Sequence, residues 1–161
     1  MATRREDLGS WLEGTPGDTP QEGVSALGLP ARGPGSMATV PRRLVAIGVD
    51  WLLSLGVSAA FFPDPARAGM GILAGDELAT LGIFALSTTV LVGLLGHTVG
   101  HRLVGLRVVR PTASDGRPSA PGLAGGLLRT CLLCLVVPAV VWNAEGRGMH
   151  DVAAGTVVVR R

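Results

Sequence analysis

Three long apolar stretches follow residue 36 of the chain. The first, 44–62, has 19 residues; the second, 78–95, has 18 residues and no charge; the third, 123–141, has 19 residues but contains Arg129 and Pro138. A helix of about 20 apolar residues spans the hydrocarbon core of a bilayer. The pattern therefore predicts an all-α membrane protein with about three transmembrane or membrane-embedded helices, near 44–62, 78–95 and 123–142.

Residues 1–36 differ from the rest of the chain. They contain seven Gly and four Pro, and their hydrophobic residues are isolated. Such a segment cannot bury enough apolar surface to offset the entropy lost on folding. We therefore expect a disordered N-terminal tail over 1–36 and one transmembrane domain over 37–161. No apolar segment follows the early arginines, so the tail lacks the pattern of a secretory signal.

Arginines set the expected orientation, because the cytoplasmic loops of membrane proteins carry an excess of basic residues. Arg42 and Arg43 precede the first apolar stretch. The 96–122 connection has four arginines against one acid, whereas the 63–77 connection has one arginine against three acids. We expect a multi-pass protein of the cell membrane whose N-terminus and 96–122 connection are cytoplasmic.

The path of the third stretch has two alternatives. A full crossing, which we favour, places the C-terminus outside. A helix broken near Pro138 that enters the membrane and returns keeps the C-terminus inside, and such a helix is tolerated where protein buries its backbone. The β-branched runs in LVGLRVVRP (103–111) and GTVVVRR (155–161) predict short strands, which can pair with each other only in the second case.

Composition and charge agree with a membrane location. Apolar residues make up 47% of the chain and charged residues 16%, against about a quarter charged in typical soluble domains. All fourteen basic residues are arginines, and residues 37–161 hold eleven of them against seven acids. Because they flank apolar stretches instead of covering a polar face, lipid headgroups are the expected partner and nucleic acid is not.

The cysteines and histidines do not form a metal or redox motif. Cys131 and Cys134 form a CxxC inside an apolar run with no second pair, which favours buried, inert thiols. His97 and His101 are four residues apart, but no Glu follows His97 as it does in zinc proteases. We expect these histidines to be cationic anchors at the membrane surface, and we expect no metal and no cofactor.

Asp50 is the unusual residue of the first stretch, because an acid at the centre of a membrane helix costs about 2.5–3.5 kcal/mol. It lies on one helical stripe with Arg43, Ile47 and Ser54. Such an acid needs a partner, and Arg129 is a better candidate than Arg43. Two roles are open: an Asp–Arg clamp that holds helices together, which we favour, or an ion or proton site.

Small residues and a second acid complete the candidate features. Glycines four apart, at 96 and 100 and again at 122 and 126, allow helices to approach closely. Asp151 follows His150 before a turn of small residues, where its carboxylate can cap the turn or pair with an arginine. This stretch does not combine a nucleophile with a base, so we do not expect an enzyme.

Four fragments together resemble the RDD family of small bacterial membrane proteins: RRLVAIGVD at 42–50, GHTVGHRLVGLRVV at 96–109, Arg129, and GRGMHDVAAGTVVV at 146–159. The resemblance covers about 40–161. It matches the family's arginine with Arg43, its first aspartate with Asp50 and its second with Asp151, and His101 stands where the pattern has Lys or Arg. The resemblance implies a polytopic membrane domain of unsettled activity, sometimes suspected of transport.

These observations lead to one functional hypothesis and one alternative. The hypothesis is an RDD-type membrane module with a structural or partner-binding role, in which Arg43, Asp50, Arg129 and Asp151 form a polar cluster near the cytoplasmic side. The alternative is a small ion- or proton-coupled transporter that uses Asp50. The expected partners are the lipid bilayer and either a second copy of the chain or another membrane protein.

Overall fold

The computed structural model describes residues 29–30, 32–110, 119–135 and 147–161. The described chain is mainly helical, with one short pair of strands. In chain order its elements are α1 (Val40–Phe61), α2 (Glu77–Leu95), α3 (Val99–Leu103), β1 (Leu106–Val109), α4 (Gly122–Cys134), α5 (Met149–Ala153) and β2 (Val157–Arg160).

The two long helices lie where the apolar pattern predicts them. Helix α1 starts after Thr39 with a proline in its first turn, where a missing N–H costs nothing. Helix α2 starts at Asp76, whose carboxylate accepts the backbone N–H of Ala79 at 2.7 Å, and ends at Gly96 in the left-handed region (φ 72°). The predictions at 44–62 and 78–95 are therefore confirmed as helices.

Both long helices expose large apolar side chains, whereas the buried side holds most of the polar residues of α1 and a mixture of polar and apolar residues of α2. The side chains of Leu52 and Leu86 are 56% and 68% exposed, whereas Asp50 and Thr88 are buried. Of the 18 most apolar consecutive residues of each helix, 22% are buried in α1 and 28% are buried in α2. The described chain thus has two helices long and apolar enough to cross a membrane, and neither is enclosed as the core helix of a soluble domain is.

Helix α4 packs closely against α2 through glycines. A Cβ at Gly126 would lie 2.7 Å from the carbonyl oxygen of Thr89, and one at Gly93 would lie 3.0 Å from the Cα of Leu123. Helix α4 has 13 residues, a length of about 20 Å, which is shorter than the ~30 Å hydrocarbon core. The helix predicted over 123–142 is confirmed only as far as Cys134, and the Pro138 region lies outside the described residues.

Strands β1 and β2 pair antiparallel, with Val108 opposite Val158. Both valines are fully buried in a small core beside α1 and α2. The expectation of an all-α fold therefore needs a correction, because a two-stranded ribbon joins the C-terminal residues to the segment that follows α2. Its β-branched residues favour a strand over a helix. This is the ribbon that the sequence predicted only for a C-terminus on the cytoplasmic side.

The segment before α1 also joins the ribbon. The N–H of Gly35 donates to the carbonyl of Arg160 at 2.8 Å, and the N–H of Arg160 donates to the carbonyl of Ser36 at 2.8 Å. Met37 bridges to Val159. The folded domain therefore begins before residue 37, the boundary taken from composition, while residues 1–28 of the expected tail lie outside the described residues.

Candidate functional site

A buried cluster of Arg43, Arg129 and Asp151 lies where α1, α4 and α5 meet; we call it the arginine–aspartate cluster. Arg129 Nε donates to Asp151 Oδ1 at 2.7 Å, and Arg43 Nη1 donates to Asp151 Oδ2 at 3.3 Å. The Asp151 side chain is 0% exposed, and the two arginine side chains are 4% and 5% exposed. One carboxylate therefore bridges two arginines that are 86 positions apart in the sequence.

Local structure holds Asp151 in place. It lies in the first turn of α5, and its backbone carbonyl accepts the N–H of Thr156 at 2.8 Å, which closes the turn into β2. Burial alone would raise the pKa of Asp151, but the charges of Arg129, His150 and Arg43 outweigh burial and lower it. Asp151 is thus held as a carboxylate by the arginines that it neutralises.

Asp50 does not pair with an arginine among the described residues. Its Oδ1 accepts the backbone N–H of Gly100 at 2.7 Å, and its Oδ2 accepts the hydroxyl of Thr98 at 2.5 Å. The predicted pairing of Asp50 with Arg129 or Arg43 is therefore wrong, because both arginines bind Asp151 instead. Asp50 joins α1 to the start of α3 rather than to α4.

Thr98 extends the contacts of Asp50 to a histidine. Its Oγ1 lies 2.6 Å from His101 Nδ1 and accepts the backbone N–H of His101 at 3.1 Å. Burial, together with the charge of Arg129, lowers the pKa of His101 to about 3, and its side chain is 3% exposed. His101 is therefore a buried neutral residue, and the prediction of a cationic surface anchor at this position is wrong.

The sequence identified the four charged residues as candidate site residues, but it did not identify Thr98 and Gly100 as partners of Asp50. Thr98 caps α3, and a Thr two residues after a glycine that follows an apolar helix is a helix-start signal that was available in the sequence. Gly100 was recognised only as a small residue. A Cβ there would overlap with the carbonyl oxygen of Ala46, so only glycine lets α3 approach α1 closely enough for its N–H to reach Asp50.

The cluster and its surroundings offer carboxylates, guanidinium groups, hydroxyls and imidazoles, which are groups that hold charges and protons. Among the described residues, no three His, Cys, Asp or Glu side chains lie together in a metal-binding arrangement. Cys131 is exposed and Cys134 is half-buried, and both are free thiols, so the prediction that the thiols are buried is wrong for Cys131.

The chain matches no model of a known protein family, no curated protein and no solved structure.

Proposed function

We propose that the chain is a multi-pass integral membrane protein of the RDD type. One observation carries this proposal: α1 and α2 expose large aliphatic side chains along most of their length while they bury Arg43, Asp50 and Thr88. Water would penalise such a surface heavily, and a bilayer would not. A soluble core helix has the opposite arrangement, with its apolar side enclosed.

We propose further that α1 and α2 cross the membrane and that α4 enters it without crossing, so that both ends of the domain are cytoplasmic. The pairing of β1 with β2 supports this topology, because two hydrogen-bonded strands must lie on one side of the bilayer. Charge supports it as well. Asp64, Asp76 and Glu77 lie in or next to the connection between α1 and α2, while Arg102 and Arg161 lie near the ribbon at the other end.

The role that the geometry supports best is structural. Asp151 ties the first turn of α1 to α4 and to the start of the ribbon, and its carboxylate is fully enclosed. Within the described residues, this carboxylate binds both arginines at once, which suits a charge that holds the domain together. The domain is then a rigid membrane module that presents its exposed helices to lipid or to a protein partner.

Reporter fusions test the topology directly. A reporter that is active only in the cytoplasm should be active when fused after Arg161 and inactive when inserted at Gly69 between α1 and α2, and a reporter active only outside should give the reverse. Carbonate extraction should leave the chain in the membrane fraction. An external signal after Arg161, or release of the chain by carbonate, would overturn the proposal.

The alternative, a small proton- or ion-coupled transporter, is favoured by the placement of Asp50 on the buried side of α1 next to a hydroxyl and an imidazole. Against it, the hydroxyls further along the buried side are engaged with backbone: Ser54 donates to the carbonyl of Asp50 and Ser58 to that of Asp76. Flux of monovalent cations into proteoliposomes under a pH gradient, compared with Asp50→Asn, decides between the two roles.

A further inference from the structure

We infer that Asp50, Thr98 and His101 form a proton relay, in which protonation of the Asp50 carboxyl switches the His101 ring from the Nδ1–H to the Nε2–H tautomer. The inference goes beyond the proposed function and does not rest on it, because it needs only the contacts among these three residues. Those contacts are Thr98 Oγ1 to Asp50 Oδ2 at 2.5 Å and Thr98 Oγ1 to His101 Nδ1 at 2.6 Å.

The Thr98 hydroxyl can donate to only one of its two side-chain neighbours. A hydroxyl has one hydrogen to donate and two lone pairs that accept. One lone pair is already used, because the backbone N–H of His101 donates to Thr98 Oγ1. The remaining lone pair must accept a hydrogen from one of the two side chains, Asp50 or His101, and the hydroxyl hydrogen must be donated to the other. Whichever neighbour receives the hydrogen, the other must donate one.

Two arrangements satisfy Thr98 Oγ1, the Asp50 carboxyl and Nδ1 of His101. In the first, Asp50 is ionised and receives the Thr98 hydrogen, so Thr98 must accept a hydrogen from Nδ1 of His101, whose Nε2 is bare. In the second, Asp50 is protonated and donates to Thr98, so Thr98 donates to a bare Nδ1 and the ring carries its hydrogen on Nε2. The Gly100 N–H bond to Asp50 Oδ1 is kept in both.

Conversion between the two arrangements balances as the uptake of one proton. A proton binds to Nε2 of His101, the Nδ1 hydrogen passes to the Thr98 oxygen, and the original Thr98 hydrogen passes to Asp50 Oδ2. The ring is neutral before and after, and Asp50 has gained the proton. The relay thus connects a carboxyl on the buried side of α1 to the far side of an imidazole that Thr98 alone separates from it.

The surroundings of His101 keep the ring neutral, as the relay requires. The charged and titratable groups that act on it are Arg129 from α4, Arg43 from α1, Asp151 from α5 and His97 just before α3. Burial and the arginine charges together oppose a lasting imidazolium, and the pKa of His101 is lowered to about 3. A neutral ring carries one hydrogen, so its position reports the state of Asp50.

Nuclear magnetic resonance of the full chain in detergent micelles tests the relay. With ¹⁵N in histidine and ¹³C in aspartate, the ring nitrogens of His101 and the carboxyl carbon of Asp50 are followed together while the pH is changed; His101→Gln and Asp50→Asn assign the signals. We expect the Nδ1 signal to change from protonated to bare at the same midpoint at which the Asp50 carboxyl becomes protonated.

Asp50→Asn imitates the protonated acid, because its amide nitrogen donates to Thr98 while its oxygen keeps the Gly100 N–H. In this variant we expect the Nε2–H tautomer at every pH where the ring is neutral. Ser54→Ala, which removes a hydroxyl that donates to the backbone carbonyl of Asp50, is the matched control and should retain the wild-type switch. Adding Thr98→Val to Asp50→Asn should abolish the preference for Nε2–H.

A purely structural role for these bonds predicts that the ring tautomer does not depend on residue 50. An Nδ1–H ring in Asp50→Asn would overturn the inference, and so would protonation of the Asp50 carboxyl without any change at the ring. If Asp50→Asn does not fold, the wild-type measurement decides alone, since it needs no variant to compare the two midpoints.

Discussion

Replacing Asp151 with Asn should destabilise the fold more than any other single charge change among the described residues. The substitution keeps the size of the side chain but removes the charge that neutralises both Arg43 and Arg129. Because these arginines are 4% exposed, water cannot take over the role of the carboxylate. Two like charges would then remain in a poorly solvated place.

The magnitude follows from the enclosure of Asp151. Removing one member of a buried ion pair costs about 3–5 kcal/mol. Because this one substitution removes the ion-pair partner of two arginines, we expect a loss of stability at the upper end of that range, about 5 kcal/mol. Single domains have a total stability of about 5–15 kcal/mol. For a chain of this length such a loss corresponds to a fall in Tm of about 10–20 °C.

Thermal unfolding in detergent, followed by the monodisperse peak in size-exclusion chromatography, measures this loss. Asp64→Asn is the matched control, because Asp64 pairs with Arg67 on the surface with side chains 33% and 35% exposed, and surface pairs contribute about 0–1 kcal/mol. Asp151→Asn combined with Arg43→Gln should cost less than the sum of the two single changes. If Asp151→Asn melts within a few degrees of the control, the arginine–aspartate cluster does not hold the domain together.

Two further predictions concern α3. Gly100→Ala should lower the Tm strongly because its Cβ would overlap with the carbonyl of Ala46, whereas Gly56→Ala, with open space around it, should not; equal melting of the two variants would contradict the close packing. Since the folded-state pKa of His101 is lowered from 6.5 to about 3, only the unfolded chain binds this proton between those values. Stability should therefore be lost as pH falls below about 6.5, by at most ~1.4 kcal/mol per pH unit. His101→Gln should flatten that slope; an unchanged slope in this variant would refute the assignment.

The long helices could be predicted from the sequence because an apolar run of membrane length is a local property. The buried side of α1 was also predictable, since Arg43, Asp50 and Ser54 recur at helical spacing. Partners were not predictable in the same way. Asp50 meets Thr98 and Gly100 across 48 and 50 positions, and Arg43 meets Asp151 across 108. Charge alone favoured an Asp50–arginine pair, and nothing local revealed that Asp151 occupies both arginines.

The pairing of β1 with β2 bears on an alternative that the apolar pattern left open. Counting apolar stretches favoured a third crossing, because 123–141 has the length of a membrane helix. The β-branched residues at 106–109 and 157–160 predicted two strands, whose pairing would place the C-terminus on the cytoplasmic side. The sequence alone did not show that these strands pair with each other. Once they pair, Asp151, six residues before Val157, is brought to the same end as Arg43.

The two buried carboxylates have different electrostatic tasks, although both belong to the pattern that the sequence suggested. Arg43, Arg129 and Asp151 together carry one net positive charge, and all three act on His101. When Asp50 is ionised, the four buried charged residues have no net charge. When Asp50 is protonated, one positive charge remains uncompensated. Asp151 is needed as a permanent charge that assembles the domain, and Asp50 is the carboxyl that can change its state within it.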